Sequence, residues 1–142
     1  MVFTLVNGVV GGFVATVAMT ILMIVMSDDS PPPTAQLWAK YFGDQPAENY
    51  IMQGMALHFL YGIVAGAVFA VGLPAIGLTP ATLLMAAVYG ATYGLVLQVV
   101  GSGIWMMTIL GMEPEKKQIV GFTVFHLVYG IVLGVWLATV SL

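Results

Sequence analysis

The stretch IMQGMALHFLYGIVAGAVFAVG, residues 51–72, runs 22 positions without an Asp, Glu, Lys or Arg. At about 1.5 Å rise per residue, a helix of that length crosses the roughly 30 Å hydrocarbon core of a bilayer. Three more stretches share this character: Val2–Met26, Ala81–Leu110 and Ile119–Leu142. The chain has 142 residues, of which 61% are hydrophobic and 6% charged. A water-facing surface needs roughly a quarter to a third of its residues charged, so this surface is expected to face lipid. The reading is an all-α integral membrane fold, a single domain over 1–142, with spans at about 2–26, 51–72, 81–101 and 119–141. The first span is expected to be a true membrane helix: MVFTLVNGVV has no basic n-region, and the apolar run is too long for a signal peptide.

All nine charged residues fall between spans. Asp28, Asp29, Lys40, Asp44 and Glu48 lie in the first connection, and Glu113, Glu115, Lys116 and Lys117 in the third. An up-down-up-down path puts both connections on one side. The lysines predict that side to be cytoplasmic, with the N- and C-termini outside.

The phrase HFLYGIVAG at 58–66 returns as HLVYGIVLG at 126–134, with six of nine positions identical. The match extends without a gap to Gly43/Gly111, Pro46/Pro114 and Ile51/Ile119. Each half, about 1–72 and 73–142, then holds two spans. That predicts two tandem hairpins related by a pseudo-two-fold axis along the membrane normal. The first helices of the halves resemble each other much less, so the duplication is read firmly only for the second and fourth spans.

Each span carries a G-x-x-x-G pair: Gly8/Gly12, Gly62/Gly66, Gly90/Gly94 and Gly130/Gly134. Such pairs clear a groove for another helix, which predicts a tight bundle. In the first connection three prolines precede TAQLWAKYF, expected to form a short interfacial helix with Leu37, Trp38, Tyr41 and Phe42 toward lipid or bundle. In the second half GSGIWMMTILG, 101–111, is either the end of a long third helix or a second interfacial segment, with a break plausible near 101–103.

The two histidines, His58 and His126, each lie seven residues beyond the repeated isoleucine, about 10 Å into their helices. Ionisable groups at that depth usually face a bundle interior or a cavity. Tyr61 and Gly62 follow His58 on a shared face, and Tyr129 and Gly130 follow His126. One reading is structural, with each histidine satisfied by hydrogen bonds between helices. Another is a b-type haem with His58 and His126 as axial ligands, the only metal these histidines would bind. Gly62 and Gly130 would then make room for the macrocycle beside Tyr61 and Tyr129. Tyr89, Tyr93, Phe59 and Phe125 would wall it, and Lys40, Lys116 and Lys117 would meet the propionates. The function would be electron transfer. A third reading is a small-solute or ion pathway, since histidine titrates near neutrality.

The absence of cysteine removes thiolate chemistry, and three basic residues argue against nucleic acid. No nucleophile–base arrangement or phosphate-loop motif is visible, so the chain leans away from an enzyme. The proline-rich connection followed by HFLYGIVAG resembles small four-helix bacterial and archaeal membrane proteins of uncharacterised function that carry a His-x-x-Tyr-Gly-x-x-x-Gly phrase. The similarity covers mainly 31–66 and 119–134. It implies a membrane fold, in a prokaryotic plasma membrane, and no particular activity. The expected role is a non-catalytic subunit or helper of a larger membrane assembly, in contact with lipid and with other subunits or a second copy.

Overall fold

The computed structural model describes residues 3–26 and 31–140. Asp28, Asp29, both chain ends and the outermost residues of the expected first and last spans lie outside the described residues. Among the described residues there are five α-helices: α1 (Leu5–Met26), α2 (Pro33–Phe42), α3 (Ile51–Ala75), α4 (Leu83–Val100) and α5 (Lys116–Thr139). A 3-10 turn, Ala47–Tyr50, leads into α3, and a π-helical run, Gly101–Ile109, continues α4. Four helical units are long and apolar enough to cross a membrane: Leu5–Met26, Ala47–Ala75, Leu83–Ile109 and Lys116–Thr139.

Local chemistry sets the ends. The Thr4 hydroxyl accepts the Asn7 N–H at 3.1 Å, and the Thr82 hydroxyl accepts the Met85 N–H at 3.2 Å. Each satisfies an N–H that the first turn of a helix would leave open. Glu115 and Gln118 form a reciprocal capping box at the start of α5. The glycine-serine-glycine at 101–103 widens the third unit and leaves it unbroken. Glycine holds a helix poorly, and the Ser102 hydroxyl donates to the Gln98 carbonyl at 2.7 Å, competing with the backbone ladder. The chain relaxes to a wider turn, seen where the Leu110 N–H reaches back to the Trp105 carbonyl at 2.9 Å. Long π-helical runs are rare and tend to occur at functional places.

α1 packs along α3, α4 along α5, and α1 along α5. α3 and α5 are therefore diagonal, and contact between α3 and α4 centres on Tyr93. Its hydroxyl donates to the Ala65 carbonyl at 2.8 Å, and its ring lies 4.8 Å from that of Phe69. The core is built from small and aliphatic residues, among them Ala15, Met19, Ala65, Phe69, Leu97, Phe125, Leu133 and Leu137. At the far end from the connections, fully buried Asn7 ties α1 to α5. It donates to the Val140 carbonyl at 2.8 Å and accepts from the Trp136 indole at 3.0 Å.

The helices approach through their small residues. A methyl group on Gly12 would stand 2.7 Å from the Gly62 carbonyl oxygen, and one on Gly66 would stand 2.5 Å from Gly12 Cα. On the other pair, a methyl on Gly90 would run into the Gly130 carbonyl, and one on Gly130 into the Gly90 carbonyl. The glycine rows are thus filled by neighbouring helices.

Candidate functional site

A cavity of about 390 Å³ lies inside the bundle, toward the end that carries the two connections. α1 supplies Thr16, Met19 and Met23, α3 supplies Leu57, His58, Leu60, Tyr61, Gly62 and Val64, and α5 supplies Phe122, His126 and Tyr129. α4 and the π-helical run add Leu97, Gln98, Gly101, Ser102, Trp105 and Met106. The π-helix turns Trp105 and Met106 onto the same wall as Gly101. α2 roofs the cavity with Pro32, Pro33, Thr34 and Leu37. This roof is fixed at both sides. Buried Ala35 sits where a methyl on Gly54 would come within 2.5 Å of its backbone nitrogen, and the Lys40 ammonium donates to the Ile109 carbonyl.

Both histidines reach the cavity, but they are held differently. The Thr20 hydroxyl donates to the Thr16 carbonyl at 2.7 Å, so its oxygen is left to accept from His58 Nε2–H at 3.1 Å. That fixes the His58 tautomer and ties the ring to α1. His126 Nδ1 lies 2.8 Å from the Phe122 carbonyl, which can only accept, so Nδ1 carries the proton. In the neutral ring His126 Nε2 then offers a lone pair. It stands 4.0 Å from where a methyl on Gly101 would be, at the cavity wall.

The tyrosines divide in the opposite sense. The Tyr129 hydroxyl crosses the bundle to the Gly62 carbonyl at 2.6 Å, with the residue 3% exposed. Tyr61, its counterpart in the repeat, is 38% exposed at the rim of the cavity. Leu60 and Val64 beside it are 58% and 52% exposed, and Trp105 across from them is 40% exposed. The cavity therefore opens sideways, between α3 and the π-helical run, onto the apolar outer face.

Two buried side-chain polar atoms among the described residues have no hydrogen-bond partner, Gln98 Oε1 and Thr34 Oγ1. Gln98 and Thr34 both line this cavity. An open acceptor such as the Gln98 oxygen, in a residue 5% exposed, costs stability unless something occupies the space beside it. The sequence reading gives Gln98 no role in the site. The signal that finds it is a second spacing. Thr4/Thr82, Gly12/Gly90 and Thr20/Gln98 are each 78 residues apart, whereas the histidines are 68 apart. At that spacing Gln98 holds the place in α4 that Thr20 holds in α1.

The remaining expectations distribute as follows. Gly62 faces Thr16 and Gly130 faces Gly90, so helices stand where open strips for a macrocycle were expected. Phe125 sits in the core cluster, against which Tyr89 and Tyr93 pack, and the Phe59 ring is tilted against that of Phe13 at 5.7 Å. None of these four rings lines the cavity. Lys40 is bonded to the Ile109 carbonyl at the roof. Among the described residues no group of three or more His, Cys, Asp or Glu side chains is placed to hold a metal ion. No family model, curated protein or solved structure matches this chain.

Proposed function

We propose that this is an integral membrane protein that binds a small lipid-soluble molecule in the histidine-lined cavity, and that it serves as a binding subunit or helper in a membrane assembly. The observation that carries the reading is the coincidence of three features in one place. Both histidines, the two residues that carry an unpartnered buried polar atom, Gln98 and Thr34, and the sideways opening belong to the same cavity. Its size falls within the roughly 300–1,000 Å³ typical of small-molecule sites, and its wall is mostly apolar with a few convergent polar groups. An apolar mouth facing lipid selects a ligand dissolved in the bilayer. The lysine-bearing end is read as cytoplasmic, and the two helix pairs as related hairpins.

Haem is the alternative occupant, favoured by one observation. His126 is posed as an axial ligand is, with Nδ1–H held by a backbone carbonyl and Nε2 free. For the second bond to iron, His58 Nε2 would have to leave Thr20. The arrangement as folded fits at one histidine and not at the other.

The test is Gly101→Phe in protein reconstituted into lipid nanodiscs. A Cβ at Gly101 meets nothing nearer than His126 Nε2, at 4.0 Å, and Gly101 lines the cavity, so a side chain there starts into open space. Binding of 4-decylphenol, followed through Trp105 fluorescence against empty nanodiscs, is expected in the parent and lost in the variant. Equal signals from parent, variant and empty nanodiscs would remove the binding reading. A Soret band in protein expressed with adequate haem, abolished by His126→Ala, would replace it with the cytochrome.

A further inference from the structure

The walls of the cavity are not all held in the same way. Along the bundle, helices meet backbone to backbone at their glycines, as where a methyl on Gly90 would run into the Gly130 carbonyl. The roof is a separate piece, the ten-residue α2, laid across the end that carries the connections. Its edge toward α3 is seated just as tightly: Ala35 is fully buried, and a methyl on Gly54 would stand 2.6 Å from Ala35 Cα. The opposite edge faces the end of the π-helical run, where Leu110 lines the cavity. There the tie is a single side chain. Among the described residues, the bond from the Lys40 ammonium to the Ile109 carbonyl is the only hydrogen bond that α2 makes beyond residues 31–43. Thr34, on the inner side of the roof, leaves its hydroxyl without a partner.

The chemistry of the Lys40 bond suits a latch. The last carbonyls of a helix have no partner within it, and a cation is favoured beside them. The run ends at this place, since Gly111 turns the chain away with a φ of +66°. Lys40 is exposed, so water competes for both the ammonium and the carbonyl. Such a tie breaks and re-forms at little cost, whereas the packing of Ala35 on Gly54 is backbone against backbone and stays in place. The roof is therefore firm along one edge and lightly pinned along the other.

Deepening the binding reading above and resting on it, we infer that the edge between α2 and the end of the π-helical run is a second opening of the cavity, latched by Lys40. The first opening, beside Tyr61 and Trp105, faces lipid. The second faces the water-exposed side where the connections lie. A molecule taken up sideways from the bilayer then has a separate way out, to water or to a partner seated over the roof. With the latch closed, the roof keeps water from the apolar wall and from His126. With it open, α2 turns about its seat on Gly54, and the cavity communicates with the aqueous face.

The chain has no cysteine, so one introduced thiol reports on one place. Ser102→Cys puts it on the cavity wall and serves as the parent. In nanodiscs, two reagents probe the two routes. N-ethylmaleimide is neutral and arrives through lipid as well as water, while a trimethylammonium-ethyl methanethiosulfonate is charged and arrives through water alone. Lys40→Met keeps an unbranched stem and loses the ammonium. It is expected to raise the rate of the charged reagent about fivefold, in proportion to the open population. Lys40→Arg keeps a cationic donor and should stay within about twofold of the parent. The maleimide rate and the unfolding midpoint should hold in both variants. A charged-reagent rate that Lys40→Met leaves at the parent's value would overturn the latch. So would a rise accompanied by an equal rise for the maleimide or by a fall in the midpoint, because the whole roof would then have loosened. None of these readouts uses a bound ligand. If the latch fails, 4-decylphenol binding and its loss in Gly101→Phe are untouched. If 4-decylphenol fails to bind while the labelling contrast holds, the opening stands and its use by a lipid-soluble molecule falls.

Discussion

His58 and His126 begin the same phrase and both line the cavity. Yet His58 Nε2 is tied to the neighbouring helix through Thr20, while His126 bonds only to its own helix, at Phe122. The difference starts at the neighbouring helix. Where α3 meets α1, Thr16 and Thr20 supply hydroxyls, so a methyl on Gly62 would run into the Thr16 side-chain oxygen. Where α5 meets α4, glycine stands in place of Thr16, and a methyl on Gly94 would meet the His126 carbonyl itself. The second pair therefore packs backbone on backbone, and no hydroxyl is left to serve its histidine. A repeated phrase has been given two chemical surroundings by changes on the partner helices. The lesson is that a recurring phrase sets a position along the helix, and the partner helix decides what that position does.

The sharpest way to break this comparison is at the glycines. Gly130→Ala pushes a methyl into the Gly90 carbonyl, and backbone cannot step aside cheaply. Overpacking of this kind costs about 1–3 kcal/mol, more than the roughly 1 kcal/mol gained from alanine's better helix propensity. Gly62→Ala meets the Thr16 hydroxyl, and here the obstacle can be removed. The double variant Gly62→Ala with Thr16→Ala should recover most of the lost stability, read as the unfolding midpoint in detergent. Truncating side chains around Gly130 should recover none. A Gly130→Ala protein as stable as the double variant would show that the two pairs are not packed differently.

The next effect is smaller and turns on sign. Thr20→Val leaves His58 Nε2–H without its acceptor in a mostly apolar site, and should cost about 0.6–1.7 kcal/mol, the range measured for hydrogen bonds between membrane helices. Gln98→Leu at the matching position removes an acceptor that has no donor, so it should cost nothing or stabilise. Opposite signs from residues 78 apart would sharpen the contrast between the halves. Equal losses would mean that Gln98 is bonded in the protein's resting state.

Much of the architecture was legible because it rests on composition and period. A stretch such as 51–72 has few ways to exist except as a helix in lipid. The cavity was partly legible, since the depth of His58 and His126 follows from their place in the helix. What could not be read was which way each ring turns and what fills the glycine rows. Gly62 and Gly130 look alike along the chain, and only the register of α1 and α4 tells that one faces Thr16 and the other Gly90. The matching positions of α1 and α4 lie 78 apart while the histidines lie 68 apart, because the chain between α1 and α3 is longer than that between α4 and α5. A single offset hides the correspondence. The π-helical run was hidden for a related reason: glycine-serine-glycine signals weakness in a helix, and whether the chain breaks there or widens depends on what Trp105 and Met106 can reach.

The smallest effect tests the tyrosines, where the asymmetry is reversed. The Tyr129 hydroxyl bridges the diagonal to the Gly62 carbonyl, and that oxygen is already the i→i+4 acceptor of its own helix. Removing the bridge with Tyr129→Phe leaves no acceptor orphaned, so the loss should stay near 0.6 kcal/mol, the average for such bonds. Tyr61→Phe should cost nothing measurable in stability, because its hydroxyl sits at the rim and no corresponding bond to α5 is found among the described residues. It should instead alter access to the cavity, changing the rate at which 4-decylphenol quenches or shifts Trp105 fluorescence while leaving the unfolding midpoint in place. A stability loss at Tyr61 equal to that at Tyr129 would mean that both tyrosines bridge the diagonal and that the mouth beside α3 is closed. The comparison would then reduce to the histidines alone, with their different partners as the one feature separating the halves.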